Sequence, residues 1–204
     1  MSKQHSTIMK YDSRNVAGVL IFVGSVQCVL GIIIAEALYP GYSTSKNYIS
    51  DLGVGPSALI FNSSVFLLGV TLAAGAYFIQ RAFDSRLLSI VLTITGIGGM
   101  GVGLFPETAG AIHGAFSLII FLFGGLSAII SYKLLRPPIS YASVLLGALS
   151  LGALALFGSG TYLGLDSGGM ERMIAYPALL WGVGFGGHLI GRTKDTATKS
   201  WPKD

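Results

Sequence analysis

Six long apolar segments, separated by short polar ones, fill almost all of this 204-residue chain. Each runs for roughly 18 to 24 residues, the length that a helix rising about 1.5 Å per residue needs to cross a hydrocarbon core of about 30 Å. The pattern therefore predicts an all-α, polytopic membrane protein, a compact bundle of six transmembrane helices. The predicted helices occupy residues 16–38, 57–80, 87–105, 109–135, 141–163 and 173–191.

Little of the chain lies outside these segments. Residues 1–15 are a polar amino-terminal segment, residues 16–191 the predicted membrane domain, and residues 192–204 a charged tail. The small residues on either side of Glu36 resemble a signal-peptidase site. The apolar run before them is longer than the usual ~7 to 15 residues of a signal sequence, so we interpret the first segment as a retained helix.

The lysine and arginine residues are divided unequally between the two ends of the predicted bundle. If the amino terminus is cytoplasmic, eleven of the 13 Lys and Arg residues lie on the cytoplasmic side, and only Lys46 and Arg172 lie outside. Cytoplasmic segments of membrane proteins are enriched in these residues. We therefore predict that both termini are cytoplasmic and that the protein is a multi-pass protein of the cell membrane.

Composition excludes a soluble protein and disfavours a nucleic-acid-binding one. Only 11% of the residues are charged and 52% are hydrophobic, whereas about 25% of the residues of soluble domains are charged. The net charge of +4 does not indicate nucleic acid, because the basic residues flank the predicted helices and form no patch with aromatic residues between them. Membrane lipids are the predicted partners.

Polar side chains of unlike character converge at the predicted outer end of the bundle. The long polar segment at residues 39–56 caps this end and carries Asp51, and we take Asp51, Glu107, His113 and Arg172 as candidate ligand-binding residues. Arg172 directly precedes an apolar segment, where it can pair with a carboxylate or with a phosphate group. The preferred hypothesis is a protein that binds a lipid headgroup or a small polar ligand at this cluster.

Two other functions remain open at this point. His113 lies six residues after Glu107, and a histidine beside a carboxylate can act as a general base, as in a lipid-modifying enzyme. The alternative for His113 is a histidine at a helix end bonded to a loop. The third possibility is a structural or accessory subunit of a membrane complex, and the sequence does not decide whether the protein is an enzyme.

No metal or cofactor is predicted. Zinc and haem sites use several histidines, and the outer end offers only His113. The outer carboxylates Asp51, Glu107 and Asp166 lack the ligand spacing of a calcium loop.

Small residues recur at four-residue spacing within the predicted helices, and this spacing lets helix backbones approach closely. The pairs are Gly99 with Gly103, Gly182 with Gly186, Gly187 with Gly191, and Ala148 with Gly152. We interpret them mainly as contacts within one chain. The alternative is an interface with a second copy or with another membrane protein. Gln27 and Asn62, inside predicted helices, should form interhelical hydrogen bonds.

The order of short motifs along the chain resembles that of a known family. The motifs are Tyr-Ile-Ser-Asp-Leu-Gly at 48–53, Ile-Phe-Asn at 60–62 and Gly-Leu-Phe-Pro at 103–106, followed by His113, Arg172 and Trp181. In this combination the chain resembles the prokaryotic membrane-protein family catalogued as domain of unknown function 998. The resemblance implies a six-helix integral membrane fold. It implies no activity, because the family is known without an established substrate or catalytic residues.

Overall fold

The structure of the protein, a computed structural model, describes residues 12–191. These residues form six long α-helices and no strand, and all six helices are long and apolar enough to cross a membrane. The predicted all-α membrane fold is therefore confirmed. The helices are α1 Ser13–Leu38, α2 Ala58–Phe83, α3 Arg86–Leu104, α4 Ala111–Ile130, α5 Ile139–Gly158 and α6 Asp166–Gly191. Most of the predicted amino-terminal segment and the predicted tail lie outside the described residues.

Each helix packs against the next, and α6 packs against α1. Because α4 also contacts α6, helices α1 to α4 and α6 form a ring, and α5 packs on its outside against α4 and α6. Because successive helices run in opposite directions, residues 39–57, 105–110 and 159–165 lie together at one end, the loop end. The opposite end, the basic end, carries Arg14, Arg81, Arg86, Lys133 and Arg136.

The segment between α1 and α2 folds over the loop end as a packed structure. It contains a short 3-10 turn, Ser50–Gly53, and the side chains of Ile49 and Leu52 are buried beneath it. Asn62 of α2 donates a hydrogen bond to the carbonyl of Gly53 at 3.0 Å. The segment is therefore fixed to the helices below it.

Two polar side chains inside the helices, Gln27 and Asn62, donate hydrogen bonds to neighbouring backbone carbonyls. Gln27 of α1 donates to the carbonyl of Ser64 on α2 at 2.8 Å, which confirms the interhelical hydrogen bond predicted for Gln27. Asn62 instead bonds to the loop segment, so its predicted partner on another helix is replaced by Gly53.

The bounds of α6 differ most from the prediction. We expected the sixth helix to begin near residue 173, whereas α6 begins at Asp166. The seven extra residues include the charged residues Glu171 and Arg172, which the prediction placed before the sixth helix. They are helical because both side chains find partners in the loop segment and in α1.

Several of the predicted small residues are contact points between helices of this chain. A Cβ placed on Gly99 would lie 3.1 Å from the Cα of Gly69 on α2, and a Cβ on Gly186 would lie 2.6 Å from the amide nitrogen of Phe22 on α1. A Cβ on Gly182 would collide with Ser25. These glycines therefore serve packing within the chain. An interface with a second copy or another protein stays a prediction.

Candidate functional site

Arg172, in the second turn of α6, is the centre of the hydrogen-bond network at the loop end. One terminal nitrogen, Nη2, donates to Glu36 Oε1 and to the hydroxyl of Tyr42, both at 2.6 Å. The other, Nη1, donates to the carbonyls of Asn47 at 3.1 Å and Gly168 at 3.0 Å. Arg172 thereby joins α6 to the end of α1 and to the loop segment.

The pair formed by Arg172 and Glu36 is largely buried. Their side chains are 9% and 18% exposed, and the guanidinium carbon lies 5.4 Å from the centre of the Tyr42 ring. The ion pair considered for Arg172 from the sequence is present. Its partner is Glu36, which was not among the four candidate residues.

Tyr42 extends this network into the loop segment. Its hydroxyl accepts from Arg172 and donates to the carbonyl of Tyr48 at 2.7 Å. Burial, the largest influence, raises the pKa of Tyr42 to about 12. Tyr42 is therefore a neutral phenol that fixes the loop to the ion pair.

Asp51 and Glu107 come together on the outer side of the loop segment. Asp51 Oδ2 accepts from the side-chain amide of Asn47 at 2.8 Å and from the backbone N–H of Tyr48 at 3.1 Å. Glu107, in a 3-10 turn after α3, lies close to the Asp51 carboxyl, because the two short turns that carry these residues are in contact. Burial, followed by the neighbouring carboxyl of Asp51, raises the pKa of Glu107 to about 7.

The two carboxyls line a surface pocket of about 300 Å³, which we call the acidic pocket. Its walls are Tyr39, Asp51, Val54, Glu107 and Thr108. The acidic pocket is connected to Arg172 through Asn47. The backbone carbonyl of Asn47 accepts a hydrogen bond from the guanidinium, and its side-chain amide donates one to Asp51. Asp51 and Arg172 therefore belong to one hydrogen-bond network, and Glu107 lines the pocket beside Asp51.

His113 lies at the start of α4 and has a different partner. Its Nδ1 lies 2.7 Å from the carbonyl oxygen of Phe105, the residue that ends α3. Because a carbonyl can only accept, Nδ1 carries the proton in this bond. The ring is buried, with 7% of the residue exposed, and does not line the acidic pocket. The structure thus gives His113 the contact of a helix-end histidine.

Besides Glu36, Glu171 is a residue at the loop end that the sequence did not identify as part of the site. It is 6% exposed, and its Oε2 accepts a hydrogen bond from the backbone N–H of Ile49 at 2.5 Å. Among residues 12–191, this is the only hydrogen bond to the Glu171 carboxyl. The pattern gave one signal, a pair of opposite charges directly before an apolar segment, but did not show which way each side chain points.

Beside Glu171 the bundle contains a partly open cavity between the helices, which we call the internal cavity. It lies between α1, α2, α3, α4 and α6, and Ile49 and Ser50 close its upper end. About 90 Å³ of it is open to the centre of a water-sized molecule. Its walls are almost entirely apolar, and within the described residues α5 contributes nothing to them. Ser50 lines the cavity and Asp51 lines the acidic pocket, so the 3-10 turn that contains both residues separates the cavity from the pocket.

The same bundle matches a family known from sequence. Residues 22–188, from within α1 to within α6, match the profile of the family described as protein of unknown function (DUF998). The chain belongs to the DUF998 family. The resemblance noted from the short motifs is therefore confirmed. No curated protein and no solved structure matches the chain significantly, so the function of this DUF998 protein is argued from the geometry of its own residues.

The chemistry available at the loop end is that of carboxyl groups and backbone. Within residues 12–191, no three side chains of His, Cys, Asp or Glu are placed to hold a metal ion. All four N–H bonds on the terminal nitrogens of Arg172 have acceptors. The accessible polar groups at the loop end therefore include the carboxyls of the acidic pocket, which can accept hydrogen bonds or pair with a cation.

Proposed function

We propose that this DUF998 protein binds the polar group of a lipid, or another small polar ligand, in the acidic pocket. The observation that carries the proposal is the Asp51–Glu107 carboxyl pair in a surface pocket of about 300 Å³. With the pKa of Glu107 at about 7, its carboxyl is about half protonated at neutral pH. A bound cation or hydrogen-bond donor can replace that proton, because it favours the ionised pair.

The charge balance at the loop end supports a cationic or hydrogen-bond-donating group. Arg172 is already paired with Glu36, and Lys46 is exposed in the loop segment. The five acids of this end thus exceed its two bases. The acids are Glu36, Asp51, Glu107, Asp166 and Glu171. A lipid headgroup with an amine or hydroxyl groups matches this balance better than a bare phosphate.

The roles of the four predicted site residues differ within this proposal. Asp51 and Glu107 would contact the ligand. Arg172 and His113 would act as positioning residues, since the first fixes the loop segment through Asn47 and the second fixes the end of α3 through Phe105. Substitution of Arg172 would therefore damage the fold as well as the pocket, and is a poor test of binding.

The test is the identity of the lipids and small molecules that copurify with the protein in mild detergent, measured by mass spectrometry. Wild type is compared with the Asp51→Asn/Glu107→Gln double variant and with Asp84→Asn, which removes an exposed acid at the basic end. We expect a specific species with an amine or hydroxyl group in wild type and in Asp84→Asn, and its loss from the double variant. Identical profiles in all three proteins would overturn the proposal.

One observation favours a second candidate, a lipid-modifying enzyme. A carboxyl with a pKa of about 7 is suited to general acid–base catalysis near neutral pH. In this protein that group would be Glu107 rather than His113, because His113 is bonded to Phe105. Conversion of the copurifying lipid by wild type, with retained binding but no conversion by Glu107→Gln, would support the enzyme.

A further inference from the structure

The internal cavity is elongated along the bundle. On α6 its walls extend from Glu171 to Gly182, eleven residues apart, which corresponds to about 16 Å along a helix. On α2 they extend over the same number of residues, from Phe61 to Leu72. The cavity is therefore a narrow channel parallel to the helices.

Its volume and its walls limit what it can hold. The space open to the centre of a water-sized molecule, about 90 Å³, is distributed over the length of three helical turns. The cavity is therefore long and narrow, and its shape suits one extended hydrocarbon chain rather than a compact ring system. Side chains such as Leu68, Leu72, Val102 and Leu179 supply apolar contact along it.

The upper end of the cavity has a different chemistry. There the carboxyl of Glu171 is buried and receives one hydrogen bond, from the N–H of Ile49. Its other oxygen has no hydrogen-bond partner among residues 12–191. Arg172, the adjacent residue, is paired with Glu36 instead. Because Glu171 lines the cavity, a ligand able to donate a hydrogen bond can pair with this second oxygen.

We propose that the internal cavity is a second binding site, which takes the chain of a single-chain aliphatic amine or alcohol and bonds its polar end to Glu171. The two ligand types share the chemistry that the site requires, an extended chain and a terminal hydrogen-bond donor. A fatty acid lacks it, because its carboxylate would face the carboxyl of Glu171. The inference does not depend on the proposed function, since the cavity and the acidic pocket have no lining residue in common.

Trp181 lines the cavity and provides the measurement. The chain has two tryptophans, so Trp201→Phe leaves Trp181 as the only source of tryptophan fluorescence. Dodecylamine, dodecanol and dodecanoic acid, each brominated on its chain, are added to this protein in phosphatidylcholine nanodiscs. Bromine quenches tryptophan fluorescence on close contact, and the concentration dependence of the quenching gives an apparent Kd for each amphiphile.

Two substitutions on one helix separate binding in the cavity from partition into the bilayer. Gly124 of α4 lines the cavity, and a Cβ there would be in ordinary contact, 3.7 Å from Ala178 and Thr95, so Gly124→Leu extends into the empty space. Gly114, on the same helix, has no atom within 4 Å of such a Cβ. Gly114→Leu is therefore the matched control.

We expect saturable quenching by the brominated amine and alcohol, and about tenfold weaker binding of the acid, the loss that corresponds to one hydrogen bond to a carboxyl. Gly124→Leu should abolish saturable quenching, Glu171→Leu should weaken binding of the amine and alcohol about tenfold, and Gly114→Leu should change neither. Equal quenching by all three amphiphiles, or insensitivity to Gly124→Leu, would overturn the proposal. Failure of the proposed function would appear separately, in the effect of the Asp51→Asn/Glu107→Gln variant on copurifying species.

Discussion

At the scale of single residues, the loop end depends on two pairs with opposite properties. Arg172 and Glu36 form a buried ion pair of unlike charges, whereas Asp51 and Glu107 are like groups that lie close together at the acidic pocket. The first pair fixes the fold because it joins α6 to the end of α1. The second leaves accepting capacity directed at an open pocket.

The first prediction concerns the ion pair. Glu36→Ala should lower the free energy of unfolding by about 3 kcal/mol, because it leaves the buried Arg172 guanidinium without its counter-ion. The double variant Glu36→Gln/Arg172→Gln should be more stable than Glu36→Ala, since it leaves no unpaired charge. Both are measured by reversible unfolding in mixed micelles. A loss below about 1 kcal/mol would mean that the pair behaves as an exposed one.

The second prediction concerns the pH dependence of stability. The pKa of Glu107 is raised from 4.5 to about 7 in the folded protein, so the folded state binds more protons than the unfolded state between these values. Stability should therefore fall as the pH rises from 4.5 to about 7 and then level off. Glu107→Gln should remove this part of the slope and stabilise the protein above pH 7.

The effect of Glu107→Gln should be about 1 kcal/mol, because water in the open pocket screens the interaction with Asp51. Melting temperatures of wild type, Glu107→Gln and Asp84→Asn across this pH range provide the check. Asp84→Asn should keep the wild-type slope. A Glu107→Gln variant with the same slope as wild type would show that another group titrates.

Part of this residue-scale organisation could be predicted from the sequence. Arg172 was notable as one of two basic residues at the acidic end, and it does form an ion pair. Its partner could not be chosen, because the acids of that end are equivalent until helix rotation places Glu36 toward α6. In the same way, the rotation of α6 about its axis decides that Glu171 lines the cavity.

At the scale of elements, the length of the apolar segments was enough to locate the helices, whereas the ends of the helices depended on tertiary contacts. The bounds of α2 and α3 agree closely with the prediction. Those of α6 do not, since the polar residues at its start are stabilised by the loop segment, which is remote in sequence. Hydropathy cannot detect such contacts.

The third prediction compares two glycines of α6. At Gly186 a Cβ would lie 2.6 Å from the backbone nitrogen of Phe22, so Gly186→Ala must separate α1 from α6. It should destabilise the protein by about 2 kcal/mol. At Gly184 a Cβ meets nothing within 4 Å, and Gly184→Ala should be neutral or stabilise the helix by up to about 1 kcal/mol.

Thermal unfolding of both variants in the same nanodiscs is the measurement. If Gly186→Ala were as stable as Gly184→Ala, the close approach of α1 to α6 would be wrong. If instead Gly184→Ala were the damaging change, α6 would present a different face to α1.

At the scale of the whole molecule, the fold has one end rich in acids and one rich in bases, and this asymmetry carries the predicted orientation. The loop end lies opposite the basic end, which carries Arg81, Arg86, Lys133 and Arg136. From the distribution of positive charge, we predict that the loop end with its acidic pocket faces away from the cytoplasm.

The fourth prediction tests this orientation. Thr44 at the loop end and Lys133 at the basic end are both exposed. Thr44→Cys should react with a membrane-impermeant thiol reagent in intact cells, whereas Lys133→Cys should react only after permeabilisation. Wild type is the control, since its single cysteine, Cys28, is buried. Labelling of Lys133→Cys alone in intact cells would reverse the topology.

The contact between α1 and α6 also sets an order of assembly. The ribosome delivers α1 to the membrane first and α6 last, yet Glu36 finds its counter-ion, and Gly18 its neighbour, only on α6. Throughout synthesis the nascent protein therefore holds an unpaired carboxyl near the membrane surface and a cavity with one wall missing. A chain that stops before residue 166 would retain both features, which distinguish an unfinished molecule from a finished one.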